Sequence, residues 1–368
     1  MQLLIWLLLF FAVYPYAFYP LILKLISLLR ASCVPKDLYS EENLPKATLL
    51  ITAYNEEEFL EAKIQNSLKL DYPDLEIVVV SDGSTDRTNE ILASFPEVKS
   101  VILPKRSGKP TALKAGLEVA GGEIICLSDV SALYEENCLK LLVAPLLSPE
   151  VGATGGVLSF RKHNAATPGE VTYSSYESKL RALETEALGT IVLPGTFYAV
   201  RRRDMVLPPE DIIADDFYVT CSLLERGLKL IQVDKAMAFE QASHDTSGEF
   251  IRKSRIIAGG MQTLARFPKL LFGKWGFFLV SHKVLRWGAA LFGGMHYLLL
   301  AFSGLCPWLF AAESVLLLLG IISTFLDLAG VKTPKIMALL RHFVVVNAAV
   351  YWGIIGLFSG RQTVKWQR

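Results

Sequence analysis

The chain has 368 residues, 52% of them hydrophobic, with 37 Lys+Arg against 36 Asp+Glu and a formal net charge of +1. That balance gives no reason to expect a nucleic-acid partner. Five scattered cysteines without C-x-x-C spacing exclude a zinc ribbon or disulfide frame and fit a reducing compartment. A mean hydropathy of +0.38 is high for a soluble protein, and the apolar excess sits at the two ends.

Met1–Leu23 carries no charged side chain and matches the roughly 20 residues that a spanning helix needs. A signal peptide would want a basic start and a small-residue cleavage site. Here Lys24, Arg30 and Lys36 follow the apolar run instead, which predicts an anchor with the middle of the chain on the cytoplasmic side. Beyond Trp275 the segments near Trp287–Gly304, Trp308–Leu328 and Met337–Phe358 each approach spanning length. Lys332, Lys335 and Arg341 would then lie inside, but a fourth full crossing would carry Arg361, Lys365 and Arg368 outside. Either the last segment is re-entrant or an earlier one does not cross.

Between the ends, strand-like and helix-like runs alternate. Ala47–Ala53, Glu76–Ser81 and Glu123–Ser128 are β-branched and apolar, as strands buried on both faces are. Glu57–Leu70, Arg87–Phe95 and Glu135–Leu147 read as the helices between and after them. This rhythm predicts an α/β domain with a mostly parallel sheet, whose ligands bind at the carboxyl ends of its strands.

Those ends carry the polar residues. Asp82 leaves a buried strand just before Gly83 and could accept hydrogen bonds from a base or ribose, while Ser84, Thr85 or Asp86 caps the next helix. Asp129 and Ser131 could share a hard divalent cation such as Mg²⁺ or Mn²⁺, or merely cap the helix that follows. Asp215 and Asp216 open a helix ending at Gly227, where the dipole keeps a carboxylate ionised, as a general base must be. Arg252 and Arg255, at i and i+3, can face one phosphate site together, or form a basic helix at a membrane surface. Lys105, Arg106 and Lys109 flank a glycine and could touch phosphate. Arg201, Arg202 and Arg203 read as a solvated face.

In order and spacing, the pieces TAYNEE, VVVSDGSTDRT, RSGKPTALKAG, CLSDVS, LPGTFYAVRR, IIADDF and RKSRI resemble the family 2 glycosyltransferases of GT-A fold, in their membrane-embedded polysaccharide-synthase branch. The resemblance covers about residues 45–265. It implies an anchor at 1–30, a cytoplasmic GT-A domain at 35–265, an amphipathic interface segment at 266–285 and a transmembrane region at 286–360. The location implied is a bacterial inner membrane. Tyr54, Glu56 and Asp82 would hold the uridine end of a nucleoside-diphosphate sugar, Lys109, Arg252 and Arg255 its diphosphate, and Asp129 with Ser131 the metal. Asp216 looks like the base that activates the acceptor hydroxyl in an inverting displacement. Gly195, Thr196, Asp215 and Ile256 would shape the acceptor site.

The chain departs from the family twice: Asp-Val-Ser stands where Asp-x-Asp is usual, and Ile256 where processive synthases carry tryptophan. An aliphatic side chain cannot offer a sugar a ring face. The leading expectation is sugar transfer from a UDP-sugar to a growing exopolysaccharide, with a partner or oligomer supplying an export path. The alternatives are transfer of one sugar to a lipid such as a polyprenyl phosphate or ceramide, and a catalytically inactive membrane scaffold. A dinucleotide oxidoreductase is disfavoured, because no G-x-G-x-x-G follows a strand.

Overall fold

The computed structural model describes residues 1–29, 43–160, 168–240, 246–331 and 333–359. Arg30, Cys33, Lys36, Lys332, Arg361, Lys365 and Arg368 lie outside the described residues. The chain forms two compact units. One, drawn from Arg30–Asn164 and Glu177–Ala242, holds the sheet. The other comprises Met1–Leu29, Ala165–Tyr176 and Ser243–Gln362.

In the sheet unit, β1 (Ala47–Ala53), β2 (Leu75–Asp82), β3 (Lys99–Leu103) and β4 (Ile124–Asp129) pair in parallel, in the order β3-β2-β1-β4. The sheet continues through β7 (Phe197–Arg201), β6 (Val151–Phe160), β8 (Lys229–Glu240) and β5 (Ala132–Tyr134), and antiparallel pairings join β4 to β7, β7 to β6 and β8 to β5. The expected parallel half is present, joined to a mixed half. Every residue of β1 is buried, which is why its sequence shows no alternation. On one face Leu49, Ile51, Val79 and Cys126 share a core with Leu60 and Ile64 of α2 (Leu60–Ser67) and Leu139, Leu142 and Val143 of α5 (Cys138–Val143). On the other lies α4 (Lys109–Val119), where a Cβ on Gly116 would come within 2.3 Å of a Leu50 methyl. Gly155 and Gly156 in β6 make room for the Pro194 ring and the Phe197 ring, so they position the loop entering β7.

Two sequence expectations change here. Arg201 is buried rather than solvated: its guanidinium bonds Asp204 at 2.5 Å and the carbonyls of Leu146 and Ser148. Asp129 and Ser131 cap no helix, because β5 intervenes before α5 begins at Cys138.

Lys63 of α2 is fully buried, donates to the Ala132 carbonyl at 2.5 Å and sits 3.7 Å over the Tyr134 ring. Burial pushes its pKa down to about 7. Between that value and the ordinary lysine range the folded state therefore holds fewer protons than the unfolded chain, so Lys63 makes stability rise with pH, with its penalty complete below 7. Relative to Lys63→Met, the wild type should gain about 2 kcal/mol in denaturant unfolding between pH 7 and 8.5. A pH-independent difference between the two would count against a buried, titrating lysine. Cys126, whose thiol burial pushes up to about 12, is common to both proteins and cancels.

The second unit contains four helices long and apolar enough to cross a membrane: Gln2–Leu29, Gly276–Ser303, Pro307–Leu328 and Lys335–Phe358. They are α1, the run from α9 (Gly276–Leu279) through a π turn at Val280–Val284 to α10 (Leu285–Ser303), then α11 and α12. The segment expected at the interface, 266–285, thus ends inside a 28-residue apolar helix. Phe302, Trp308, Phe325 and Phe358 are large apolar side chains exposed on these helices, as expected of helices that contact lipid. Pro15 and Pro20 lie within α1. Pro20 has no N–H, so the Tyr16 carbonyl loses its i+4 donor; the Tyr176 hydroxyl lies 3.2 Å from the Pro15 carbonyl and 3.3 Å from the Tyr16 carbonyl and shares its one proton between them. The π turn brings Ser281 to the Tyr14 hydroxyl at 3.1 Å, and His296 Nδ1 lies 3.0 Å from the Ile5 carbonyl. Helix α8 (Thr246–Arg266) also belongs to this unit. It lies against α12, where a Cβ on Gly353 would come within 2.7 Å of the Ser254 carbonyl, and Glu249 pairs with His342 at 2.7 Å.

Candidate active site

Parallel register puts the ends of β1, β2 and β4 side by side: Thr52 pairs with Val80 on one flank and Asp129 on the other. The loops that follow β1 and β2 then lock together. Asn55, at φ 53°, accepts the Thr85 amide at 2.9 Å, and its own amide donates to Ser84 Oγ at 3.1 Å. The Glu56 amide donates to Thr88 Oγ1 at 2.8 Å and the Glu57 amide to Asp86 at 3.0 Å. TAYNEE and SDGSTDRT are therefore two halves of one rim. Asp86 also accepts the Thr88 amide at the start of α3 (Thr88–Ala93), from the position before the N-cap, which is Arg87 and makes no side-chain cap bond.

Asp82 sits below the rim, and its carboxylate is engaged with backbone. Oδ1 accepts the Ser107 amide and Oδ2 the Gly108 amide, each at 2.7 Å. Gly83, at φ 64°, lets the same loop pass overhead; a Cβ there would come within 2.3 Å of the Arg106 nitrogen. The loop in turn lays the Arg106 guanidinium 3.9 Å from the centre of the Tyr54 ring. Tyr54, Asp82, Arg106 and Lys109 line one pocket, in which the Arg106 guanidinium covers the Tyr54 ring face.

Lys109, the first residue of α4, is the hinge of the site. Its ammonium lies 3.1 Å from Asp129 Oδ1 and 3.5 Å from Asp215 Oδ2. Burial alone would lower its pKa, but Asp129 and Asp215, with Asp216 behind them, hold it above the ordinary lysine range. Thr52 and Lys109 also line a second pocket with Ser128, Gly195, Tyr198 and Asp215. Asp215 and Asp216 occupy the first turn of α7 (Asp215–Glu225), whose N-cap, Ala214, makes no side-chain bond. Gly195 faces Asp216 so closely that a Cβ would sit 2.5 Å from Asp216 Oδ2. The Thr196 carbonyl accepts the Asp129 amide at 3.2 Å.

Asp82, Lys109, Asp129, Gly195, Thr196, Asp215 and Asp216 thus meet around one cleft, with Tyr54 and Glu56 on its rim. Ser131 stands in the turn entering β5. Arg252, Arg255 and Ile256 belong to α8 in the other unit; Ile256 is 46% exposed. Sequence reading missed Tyr198, whose ring is buried and whose hydroxyl has no hydrogen-bond partner. Such a group costs about 1–3 kcal/mol. Burial, then Asp215 and Asp216, push its pKa well up. No local signal in the sequence marks it, because Thr196 lies in the turn before β7 and only Tyr198 lies in the strand.

Asp129 and Asp215 straddle one cation, and their oxygens are of the hard type that Mg²⁺ or Mn²⁺ prefers. Among the described residues no three His, Cys, Asp or Glu side chains converge on a ready-made metal site. The donor set fits a divalent ion in chemistry, with Lys109 now in its midst.

The half-parallel sheet is that of a GT-A fold, which the matches to a family model and to a solved glycosyltransferase show. Residues 48–206 match the model of glycosyl transferase family 2, so the chain carries a family 2 glycosyltransferase domain. It is 27% identical over 257 residues to the probable glycosyltransferase YdaM of Bacillus subtilis, covering 65% of this chain and 61% of that protein. It is 24% identical over 234 residues to the poly-β-1,6-N-acetyl-D-glucosamine synthase of Staphylococcus aureus, covering 61% and 57%. The match thus reaches less than two thirds of either relative. In fold it resembles the mannosyltransferase PcManGT of Pyrobaculum calidifontis, solved with GDP-Man and Mn²⁺, with a TM-score of 0.74 and 22% identity over 98% of this chain and 99% of that one.

Proposed function

We propose that this membrane protein transfers a sugar from a nucleoside-diphosphate donor to a growing glycan, as a step in exopolysaccharide synthesis. The observation that carries the reading is the convergence of Asp129, Asp215 and Asp216 on one buried cation beside the Tyr54–Asp82 pocket. A base slots against Tyr54 and Arg106, and the diphosphate meets Lys109. Asp129 and Asp215 offer the oxygens that would hold Mg²⁺ or Mn²⁺, whose chemistry there is to neutralise the leaving diphosphate. Asp216, held against Gly195, takes the proton of the acceptor hydroxyl as that oxygen attacks the anomeric carbon and the diphosphate departs with inversion. The polysaccharide synthase among the relatives supports a glycan acceptor.

One observation favours a second reading, a single sugar added to a lipid: Ile256 offers no aromatic platform for a bound polymer end. Nucleotide release should be measured in lipid nanodiscs with UDP-GlcNAc, UDP-glucose and GDP-mannose, and product length read by mass spectrometry. Products of many sugars support the first reading, one sugar per lipid the second. No nucleotide release with any donor, from folded protein, would leave the inactive-scaffold reading standing.

A further inference from the structure

We propose that in the nucleotide-free protein the Lys109 ammonium is the resident cation of the diphosphate site, and that a divalent metal enters only together with a nucleotide that draws Lys109 away. The inference rests on the reading of this cleft as a nucleotide-sugar site and deepens it.

Three observations carry it. The ammonium already occupies the place between two carboxylates, 3.1 Å from Asp129 Oδ1 and 3.5 Å from Asp215 Oδ2. The chain carries Ser131 where a second acid would strengthen a metal site, and among the described residues no preassembled metal cluster exists. The Tyr198 hydroxyl, buried within the influence of Asp215, Asp216 and Asp129, has no hydrogen-bond partner, so the polar bonding of this pocket is incomplete in its present arrangement.

The physical argument is one of exclusion. An ammonium sits about 2.8 Å from a carboxylate oxygen, and Mg²⁺ or Mn²⁺ about 2.1 Å. The two cannot share one place, and moving both into it would set like charges against each other at short range. Lys109 is a point charge on a flexible stem, rooted at the first turn of α4. An arriving diphosphate gives it an alternative anion within reach and frees Asp129 and Asp215 for the metal. Metal and nucleotide then raise each other's affinity by the same factor.

The test is Mn²⁺ binding followed by electron paramagnetic resonance on the full chain in nanodiscs, without donor sugar. Wild type should bind Mn²⁺ alone weakly and gain roughly 30-fold or more in affinity when UDP or GDP is present. Lys109→Gln should bind Mn²⁺ alone at least about tenfold more tightly than wild type, and Asp129→Asn in that background should abolish the gain. Lys109→Gln binding Mn²⁺ no more tightly than wild type overturns the proposal. Should that variant not fold, wild type decides alone: Mn²⁺ bound equally well with and without nucleotide overturns it too. Neither Mn²⁺-only titration requires sugar transfer. A failed enzymatic reading shows separately, as wild type that turns over no sugar nucleotide.

Discussion

Asp216→Asn should lower turnover by about three orders of magnitude while leaving donor affinity within a few-fold of wild type. The amide keeps the size of the carboxylate and can still accept the Phe217 amide, now held at 2.8 Å, so the first turn of α7 survives. What is lost is the ability to take a proton. Single-turnover kinetics with a fixed sugar nucleotide, paired with equilibrium titration of the nucleoside diphosphate, separates the two effects. A parallel loss of affinity and rate would show that Asp216 binds the donor and is not the base. Gly195→Ala is the steric counterpart. Its methyl would sit 2.5 Å from Asp216 Oδ2, displacing the same carboxylate without removing it. Its rate should fall on the order of 100-fold.

The second large effect is expected at Asp82, for a reason that lies in the backbone. Both of its oxygens accept amides of the loop carrying Arg106 and leading into Lys109. In Asp82→Asn one of them becomes an NH₂ facing an N–H donor in a buried setting. The expected loss is about 2–3 kcal/mol, or roughly 30- to 150-fold in nucleoside-diphosphate affinity, because the loop no longer holds Arg106 over Tyr54. Calorimetric titration of UDP and GDP measures it. An affinity within two-fold of wild type would mean that the loop keeps its place without this carboxylate.

The parallel half of the sheet was legible because strands buried on both faces read as unbroken apolar runs. Ala47–Ala53 matches β1 to the residue, and Glu76–Ser81 and Glu123–Ser128 differ from β2 and β4 by one residue at each end. The mixed half was not. In β6 the pair Gly155–Gly156 looks like a loop, and its reason, room for Pro194 and Phe197, is a tertiary one. Site motifs stood out as acids ending apolar strands, but their partnerships did not. Asp129 and Asp215 are far apart along the chain, and nothing local announces that one lysine bridges them. Asp82 likewise read as a ligand for a nucleotide, whereas its bonds to Ser107 and Gly108 depend on how a distant loop folds back.

The proline in the first span has a consequence for biogenesis. During synthesis Pro20 gives the Tyr16 carbonyl no i+4 amide, and the hydroxyl that this carbonyl shares with that of Pro15 arrives 160 residues later. Hydrocarbon offers no substitute donor. The bonding of this apolar helix is therefore complete only once the segment bearing Tyr176 has been made, which ties its final packing to a distant part of the polypeptide.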